Sequence, residues 1–416
     1  MQELYVYADF DWLPQPEFVG MLVYQAGRGD GTYSFTFDNQ WLARHGGVVL
    51  SDDLRNFSGP QYAKDRIFAC FSDVQPDRWG RTLAERREQL EARRQGRIPR
   101  HLSSFDYLLA IDDFSRMGAF RFKSAPDGEF INIFSPLQIP PLASLRELID
   151  AAHKVEMSES KDVLPEEKWI RQLLHPGTSL GGARPKASVM DDDENLLIAK
   201  FPSRSDRYDV SLWEHFCHLL ARRAGITVAE TQVLPTDGRY HALLSRRFDR
   251  TSEGRRVHFA SSMALLGLRD GAGEKTGNGY LDIVDFILQS GGAPQHDLAE
   301  LYRRVAFNMC VGNCDDHFRN HGFLLTSRGW VLSPAYDMNP SLGLEHSLLV
   351  TEYSNHSDLH QLLLASESYM LPHSEAQAII AEVRTAVSTW RTLAQQLRMS
   401  KVETQLFAPR LDWSLN

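Results

Sequence analysis

Cysteine is scarce in this chain. The four present (Cys70, Cys217, Cys310 and Cys314) are too few for a disulfide scaffold, which makes a reducing cytoplasm the expected setting. No apolar run approaches the ~20 residues a membrane-spanning helix needs, so no membrane partner is expected. The opening stretch Met1 to Asp9 has neither the basic start nor the apolar core of a secretory leader. Positive charge is in deficit as well: 45 Lys and Arg face 54 Asp and Glu, a net charge of −9. Neutralising a nucleic-acid backbone takes clustered cations, so the deficit argues against a dedicated DNA or RNA binder. One local exception runs from Arg81 to Arg100. There Arg86, Arg87, Arg93, Arg94 and Arg97 alternate with Glu85, Glu88 and Glu91 at helical spacing, which reads as a solvated helix face. Internal repeats and low-complexity tracts are missing too.

What is present is the composition of an ordered globular protein, 43% hydrophobic and 24% charged, with 416 residues to fill two or three domains. Residues 1–135 read as a mixed, strand-containing domain. Leu4 to Tyr7, Val19 to Tyr24 and Tyr33 to Phe37 are β-prone, with Gly27, Gly29, Asp30 and Gly31 marking a hairpin turn. Helical periodicity follows from Trp79. The prolines in Ser135 to Pro141 mark a linker, because they continue neither helix nor sheet. Residues 142–175 read as helical. Then come a glycine-rich turn (Thr178 to Ala183), a strand (Lys186 to Met190), an acidic turn and a second strand (Leu196 to Phe201). An amphipathic helix with Trp213, Phe216, Leu219 and Leu220 on its apolar side follows. Two further strands end at Leu243 to Asp249, and the remainder is mostly helical. The expected fold class is α+β. A mixed N-terminal domain (1–135) would precede a two-lobed, protein-kinase-like fold, its small lobe at 136–250 and its helical large lobe at 251–416.

The densest chemistry lies between Asn313 and Asp337. Asp315 precedes Asn320 by five residues, and Asp337 follows a short strand. A protein-kinase catalytic loop places its aspartate base about five residues before a magnesium-holding asparagine, with a second metal-binding aspartate after a strand and turn. Neither His-Arg-Asp nor Asp-Phe-Gly occurs, so an ordinary eukaryotic-type kinase is excluded. Asp315 would orient an acceptor hydroxyl and take its proton, while Asn320 and Asp337 would supply oxygen ligands to Mg²⁺. A phosphate cradle is offered by Ser179 to Lys186, where Gly181 and Gly182 let backbone N–H groups face an anion. Lys200, at the end of its strand, is the candidate phosphate-contacting lysine, with Glu214 on the next helix as its candidate partner. Cys310, Cys314, His317 and His321 form a competing set of zinc-ligand types in the same stretch.

Together these segments resemble the HipA family, the kinase toxins of bacterial HipB–HipA toxin–antitoxin modules. The likeness rests on Tyr33 to Phe37, Trp41-Leu42, Phe71 to Gly80, Ser179 to Lys186, Lys200, Arg247 to Arg250, Asn313 to Asn320 and Pro334 to Asp337. The resemblance implies an ATP- and Mg²⁺-dependent serine/threonine kinase. Gly181, Gly182, Ala183, Arg184, Pro185 and Lys186 would bind the ATP phosphates together with Lys200. Backbone at Arg246, Arg247 and Phe248 would meet the adenine. His317, Asn320, Tyr336 and Asp337 would line the nucleotide site, with Asp315 as base. It further implies autophosphorylation at Ser179, a HipB-like helix-turn-helix antitoxin that carries any DNA contact, and a protein substrate, an aminoacyl-tRNA synthetase in some members. Arg319 replaces a common lysine, and Arg184-Pro185 replaces the Gln-Glu of some members. The alternatives are a non-catalytic nucleotide- or partner-binding module on the same fold, a small-molecule kinase, and a zinc protein built on Cys310 to His321.

Overall fold

The computed structural model describes residues 1–27, 29–64, 66–131, 139–159, 169–170, 173, 182 and 184–413. The linker expected at Ser135 to Pro141 and the turn expected at Thr178 to Ala183 fall largely outside them. The chain divides into two compact units, Met1–Ser205 with Leu244–Ala260, and Asp206–Leu243 with Ser261–Asn416.

The first unit opens on a five-stranded antiparallel sheet in the order β4-β3-β2-β1-β5, built from β1 (Gln2–Ala8), β2 (Glu17–Gln25), β3 (Thr32–Phe37), β4 (Pro60–Tyr62) and β5 (Phe120–Lys123). Alternation along β3 buries Tyr33, Phe35 and Phe37 and leaves the residues between them facing out. The three strands read from sequence are therefore β1 to β3, and their hairpin turn carries a second duty. Asp30 in that turn accepts from the Ser104 backbone N–H and hydroxyl, both at 2.6 Å, fixing the start of the helix Ser104–Ala110.

The basic helix Arg78–Arg94 is capped by Asp77, which accepts from Gly80 N–H at 2.8 Å. Its charge is not all solvated. Glu88 is buried on the inward face and gathers Arg97 and Arg100. Further along, β6 (Lys186–Met190) and β7 (Leu196–Lys200) pair antiparallel in a register that sets Lys186 opposite Lys200. The acidic turn between them closes on Asp191, whose carboxylate accepts from Asn195 N–H at 2.7 Å. The segment after Leu244 lies against β7 through Arg247 N–H to Leu196 carbonyl, 2.9 Å.

The second unit is mostly helical. The helix Val210–Arg223 buries Trp213, Phe216 and Leu220, the stripe expected from sequence, with Leu219 only partly covered. Burying each such side chain contributes about 1.5–3 kcal/mol, which is what holds a helix of this length in place. The helix Pro294–Val311 is buried along most of its length and packs against Tyr280–Ser290, His373–Ser388 and Lys401–Trp413. Its first turn begins with a proline, whose missing N–H costs nothing there. The hairpin Gly322–Thr326 and Gly329–Leu332 follows it. The α+β class holds: strands dominate the first unit and helices the second. Among the described residues no helix is long and apolar enough to cross a membrane.

Candidate active site

The catalytic-type loop begins where the helix Pro294–Val311 must stop. Gly312 takes φ 73°, and its N–H bonds back to Asn308 carbonyl. A side chain there would set its Cβ 2.5 Å from the Ser341 carbonyl, so glycine is required twice over. The turn delivers Asn313, whose Nδ2 donates to Asn308 Oδ1 at 3.1 Å. The two carboxylates that follow then part company. Asp315 is 86% exposed, whereas Asp316 is 1% exposed.

Partial enclosure raises the Asp315 pKa, His317 opposes the rise, and repulsion from Asp337 and Asp316 adds to it. Solvent around so open a carboxylate screens these effects. His317 Nε2 stands 3.9 Å from Asp315 Oδ1. Asn320 is buried, and its Nδ2 donates to the Asp315 carbonyl at 2.8 Å, closing the loop on itself. Its Oδ1 then makes no hydrogen bond among the described residues.

Asp337 arrives on a separately anchored segment. Ala335 exchanges backbone bonds with Thr227 and Ala229 at 2.8 and 2.9 Å, and Tyr336 Oη donates to the Arg319 carbonyl at 2.5 Å. Asp337 itself holds φ 57°, a left-handed backbone that aspartate tolerates better than most residues. Residues kept in such a conformation need surrounding structure to hold them there, and Tyr336 and Ala335 supply it.

Asp315, Asn320 and Asp337 therefore share one end of the buried helix. Three oxygen-bearing side chains, two of them carboxylates near enough to raise a pKa, suit a hard cation such as Mg²⁺, which would relieve their repulsion. The zinc set does not assemble. Cys310 is buried within the helix, Cys314 Sγ donates to the Gly343 carbonyl at 3.3 Å, and His321 Nε2 faces the Asp316 carbonyl at 3.2 Å. No group of three or more His, Cys, Asp or Glu side chains placed to hold a metal occurs among the described residues.

The remaining candidates, Glu214 apart, belong to the first unit. Ser179, Gly181 and Ala183 lie outside the described residues. Gly182 has φ 97°, and a Cβ there would come 3.3 Å from Lys186 Nζ. Lys186 is 2% exposed, with its ammonium 3.0 Å from Asp77 Oδ2. The lysine of the expected cradle is thus held by the aspartate that caps the helix Arg78–Arg94. Arg184 and Lys200 are half-buried and Pro185 is buried. Arg246 is exposed and donates to Asn195 Oδ1 at 2.7 Å. Arg247 is buried, with its side chain committed to Asp249 and to the Ser115 and Arg116 carbonyls. Phe248 packs against Phe259 at 5.8 Å. Glu214 is buried in the second unit.

Sequence reasoning passed over Asp316, Tyr280, His346 and Asp77. Only the Asp-Asp doublet offered a signal, since two adjacent carboxylates rarely share one environment. Tyr280 and His346 stand 36 and 30 residues from Asp316, where no spacing rule reaches.

Comparison with known proteins identifies a family and a shared fold. The family model described as the HipA-like C-terminal domain matches residues 178–390, and the HipA N-terminal domain model matches residues 12–122. The serine/threonine-protein kinase toxin HipA of Shewanella oneidensis is 27% identical over 216 residues, 46% of this chain and 48% of that protein. Y4dM of Sinorhizobium fredii is 28% identical over 219 residues, 46% of this chain and 52% of that protein. The chain thus spans about half the length of the curated relatives it matches. Among solved structures, a chain of the Shewanella oneidensis HipA, HipB and operator DNA complex superposes with a TM-score of 0.68 at 18% identity. That match covers 99% of this chain and 96% of that one, and so the two share a fold.

Proposed function

The chain belongs to the HipA family, and from that premise we propose that it is an ATP- and Mg²⁺-dependent serine/threonine protein kinase serving as the toxin of a toxin–antitoxin pair. The observation that carries the reading is the grouping of Asp315, Asn320 and Asp337 at the end of one buried helix, with the base candidate open to solvent and the other two braced. In the transfer, the acceptor oxygen attacks the γ-phosphorus, the bond to the β-phosphate oxygen breaks, and ADP leaves. Asp315 orients the acceptor hydroxyl and receives its proton. Its exposure suits a base whose substrate is carried in on another protein. Asn320 and Asp337 would hold the magnesium, which supplies charge neutralisation on the phosphates. Gly182, Arg184 and Lys200 would contact the phosphates, with Lys186 set behind them on Asp77.

The acceptor is proposed to be a protein hydroxyl, with an aminoacyl-tRNA synthetase as the first class to try. Ser179 is proposed as a site of self-modification, where a dianionic phosphate would compete for a loop suited to ATP phosphates. The neutralising partner is proposed to be a HipB-like antitoxin, through which any operator contact would run. Transfer of labelled γ-phosphate to host-lysate proteins tests the whole reading. Wild type is expected to label discrete acceptors and Asp315→Ala none. A wild type that binds no nucleotide by calorimetry and labels nothing would overturn it.

A further inference from the structure

Asp316 is fully engaged, and the transfer chemistry gives it no task. Three groups from distant parts of the chain donate to its buried carboxylate: Tyr280 Oη, His346 Nδ1 at 2.8 Å and Ser347 N–H at 3.1 Å. The bonds continue behind them. His346 Nε2 meets Ser357 Oγ at 2.9 Å, Ser357 accepts from Arg410 at 2.7 Å, and Arg410 also donates to the Met309 carbonyl near the end of the buried helix. Asn308 Nδ2 donates to Tyr280 Oη at 3.1 Å, tying the same helix to the hub from its other side.

These donors come from two segments. One is the start of the helix Tyr280–Ser290, which the glycine-rich stretch 267–279 runs into. The other is residues 345–350, downstream of Asp337. The two are joined backbone to backbone: Glu274 N–H to Ser347 carbonyl at 2.9 Å, Tyr280 N–H to Leu349 carbonyl at 2.8 Å, and Leu349 N–H to Asn278 carbonyl at 3.1 Å. Glycine makes that approach possible. A Cβ at Gly273 would lie 2.3 Å from the Ser347 carbonyl oxygen, and one at Gly279 would lie 2.2 Å from that of Leu349. Ser347 is stitched in turn to the residue before the base, its N–H and Oγ reaching the Cys314 carbonyl at 3.1 and 2.9 Å.

Glycine-rich stretch, downstream segment and catalytic loop then line one pocket of about 440 Å³, with Arg269 and Lys275 from the first, Glu345 from the second, and His317 and Arg319 from the third. Leu342, Leu344 and Tyr353, which flank the downstream segment in the chain, are 55%, 45% and 90% exposed. Exposed large apolar side chains next to a mixed-charge pocket that opens two residues from a solvent-facing base suit a polypeptide better than a small metabolite.

We propose that Asp316 is a positioning residue that locks residues 345–350 and the glycine-rich stretch onto the catalytic loop, so that the pocket they line seats the hydroxyl-bearing segment of the acceptor protein. The proposal rests on the kinase reading for the identity of the acceptor, but not for the clamp. Asp316 touches no reacting atom. Its carboxylate fixes where the acceptor lies relative to Asp315, and displacements of about 1 Å at such a site cost on the order of 100-fold in rate.

Asp316→Asn in the full chain tests it, with Tyr280→Phe, which removes one side-chain donor to the same carboxylate, as the milder variant should the first fold poorly. Two readouts are used. Hydrogen exchange is expected to rise in peptides covering 273–280 and 344–350 and to stay unchanged in 294–311. Phosphate transfer is expected to lose about 100-fold in kcat/KM for a protein acceptor, while ATP affinity stays within about threefold. Unchanged exchange in both peptides sinks the clamp. Lost transfer with a matching loss of ATP affinity sinks the acceptor role. A wild type that transfers no phosphate defeats the kinase reading instead, and the exchange result still decides the clamp.

Discussion

In the first unit, Asp249 is fully buried between Arg247 and Arg250, at 2.7 Å from each, and also accepts from Gly118 N–H at 2.8 Å. Burial would push its pKa up, and the two guanidiniums hold it far below the ordinary carboxylate range. Nearby, Asp113 takes Arg121 and Arg256. In the second unit Asp316 is as deeply buried, yet its partners are a phenol, an imidazole and a backbone amide. Burial pushes it up as well, and His346 and Tyr280 bring it below its usual value. Both units thus spend buried charge on joining distant segments. In the first the joined segments are architecture, the sheet's edge region and the chain returning at 244–260. In the second they are the loops around a candidate base. A buried carboxylate alone does not mark an active site; what it holds in place does.

The comparison is sharpest at Asp315, where exposure replaces burial. Asp315→Ala is expected to lower phosphate transfer by about 10³-fold while shifting unfolding free energy by less than about 0.5 kcal/mol, as rate assays and urea titration would report. Asp249→Ala should do the reverse. Leaving Arg247 and Arg250 buried without their carboxylate is expected to cost about 3–5 kcal/mol, read as a fall in the urea midpoint of the first unit. A stability loss from Asp315→Ala as large as that from Asp249→Ala would erase the distinction.

Lys186 and Asp77 allow a finer cut, because sequence assigns the lysine to ATP and the structure pairs it with a helix cap. Lys186→Met is expected to destabilise by about 3 kcal/mol, and adding Asp77→Asn, which keeps the cap but drops the charge, should recover most of it. Nucleotide affinity of the double variant, measured by calorimetry, then isolates whatever the ammonium does for phosphates.

Acid should separate the units as well. Burial lowers His258 in the first unit to about 3, and His215 and His321 in the second to about 4. Each ring is neutral when folded and binds a proton when unfolded below about pH 6.5, so stability rises with pH across that window and is lost as pH falls toward the folded value. Each contributes at most about 1.4 kcal/mol per pH unit. The second unit, with two such rings against one among the described residues, is expected to show the earlier rise in hydrogen exchange between pH 6.5 and 4. The smallest effect is expected from Tyr336→Phe. Losing one hydrogen bond to the Arg319 carbonyl should cost about 1 kcal/mol and lower turnover several-fold, without touching ATP affinity beyond about twofold.

Much of this was readable before folding. The β-prone runs Leu4 to Tyr7, Val19 to Tyr24 and Tyr33 to Phe37, the last of them alternating, lie within β1 to β3, and Lys186 to Met190 is β6 to the residue, because β-branched and aromatic composition and local burial leave their mark on neighbouring positions. The interval from Asp315 to Asn320 is likewise local, since one short loop must carry both side chains. The solvated face expected at Arg81 to Arg100 was legible only as helix. That Glu88 turns inward to hold Arg97 and Arg100 depends on what packs against it.

The chain by itself set the helix that ends at Gly312, the oxygen-bearing residues beyond it, and the strands that carry Lys186 and Lys200. Each follows from φ preferences and apolar spacing within about a dozen residues. Tertiary structure alone decided which of two adjacent aspartates faces water and which is sealed among Tyr280, His346 and Ser347. It alone also gave Lys186 to Asp77, more than a hundred positions away. Burial and ion pairing are properties of surroundings, and surroundings are assembled from parts of the chain that share no spacing.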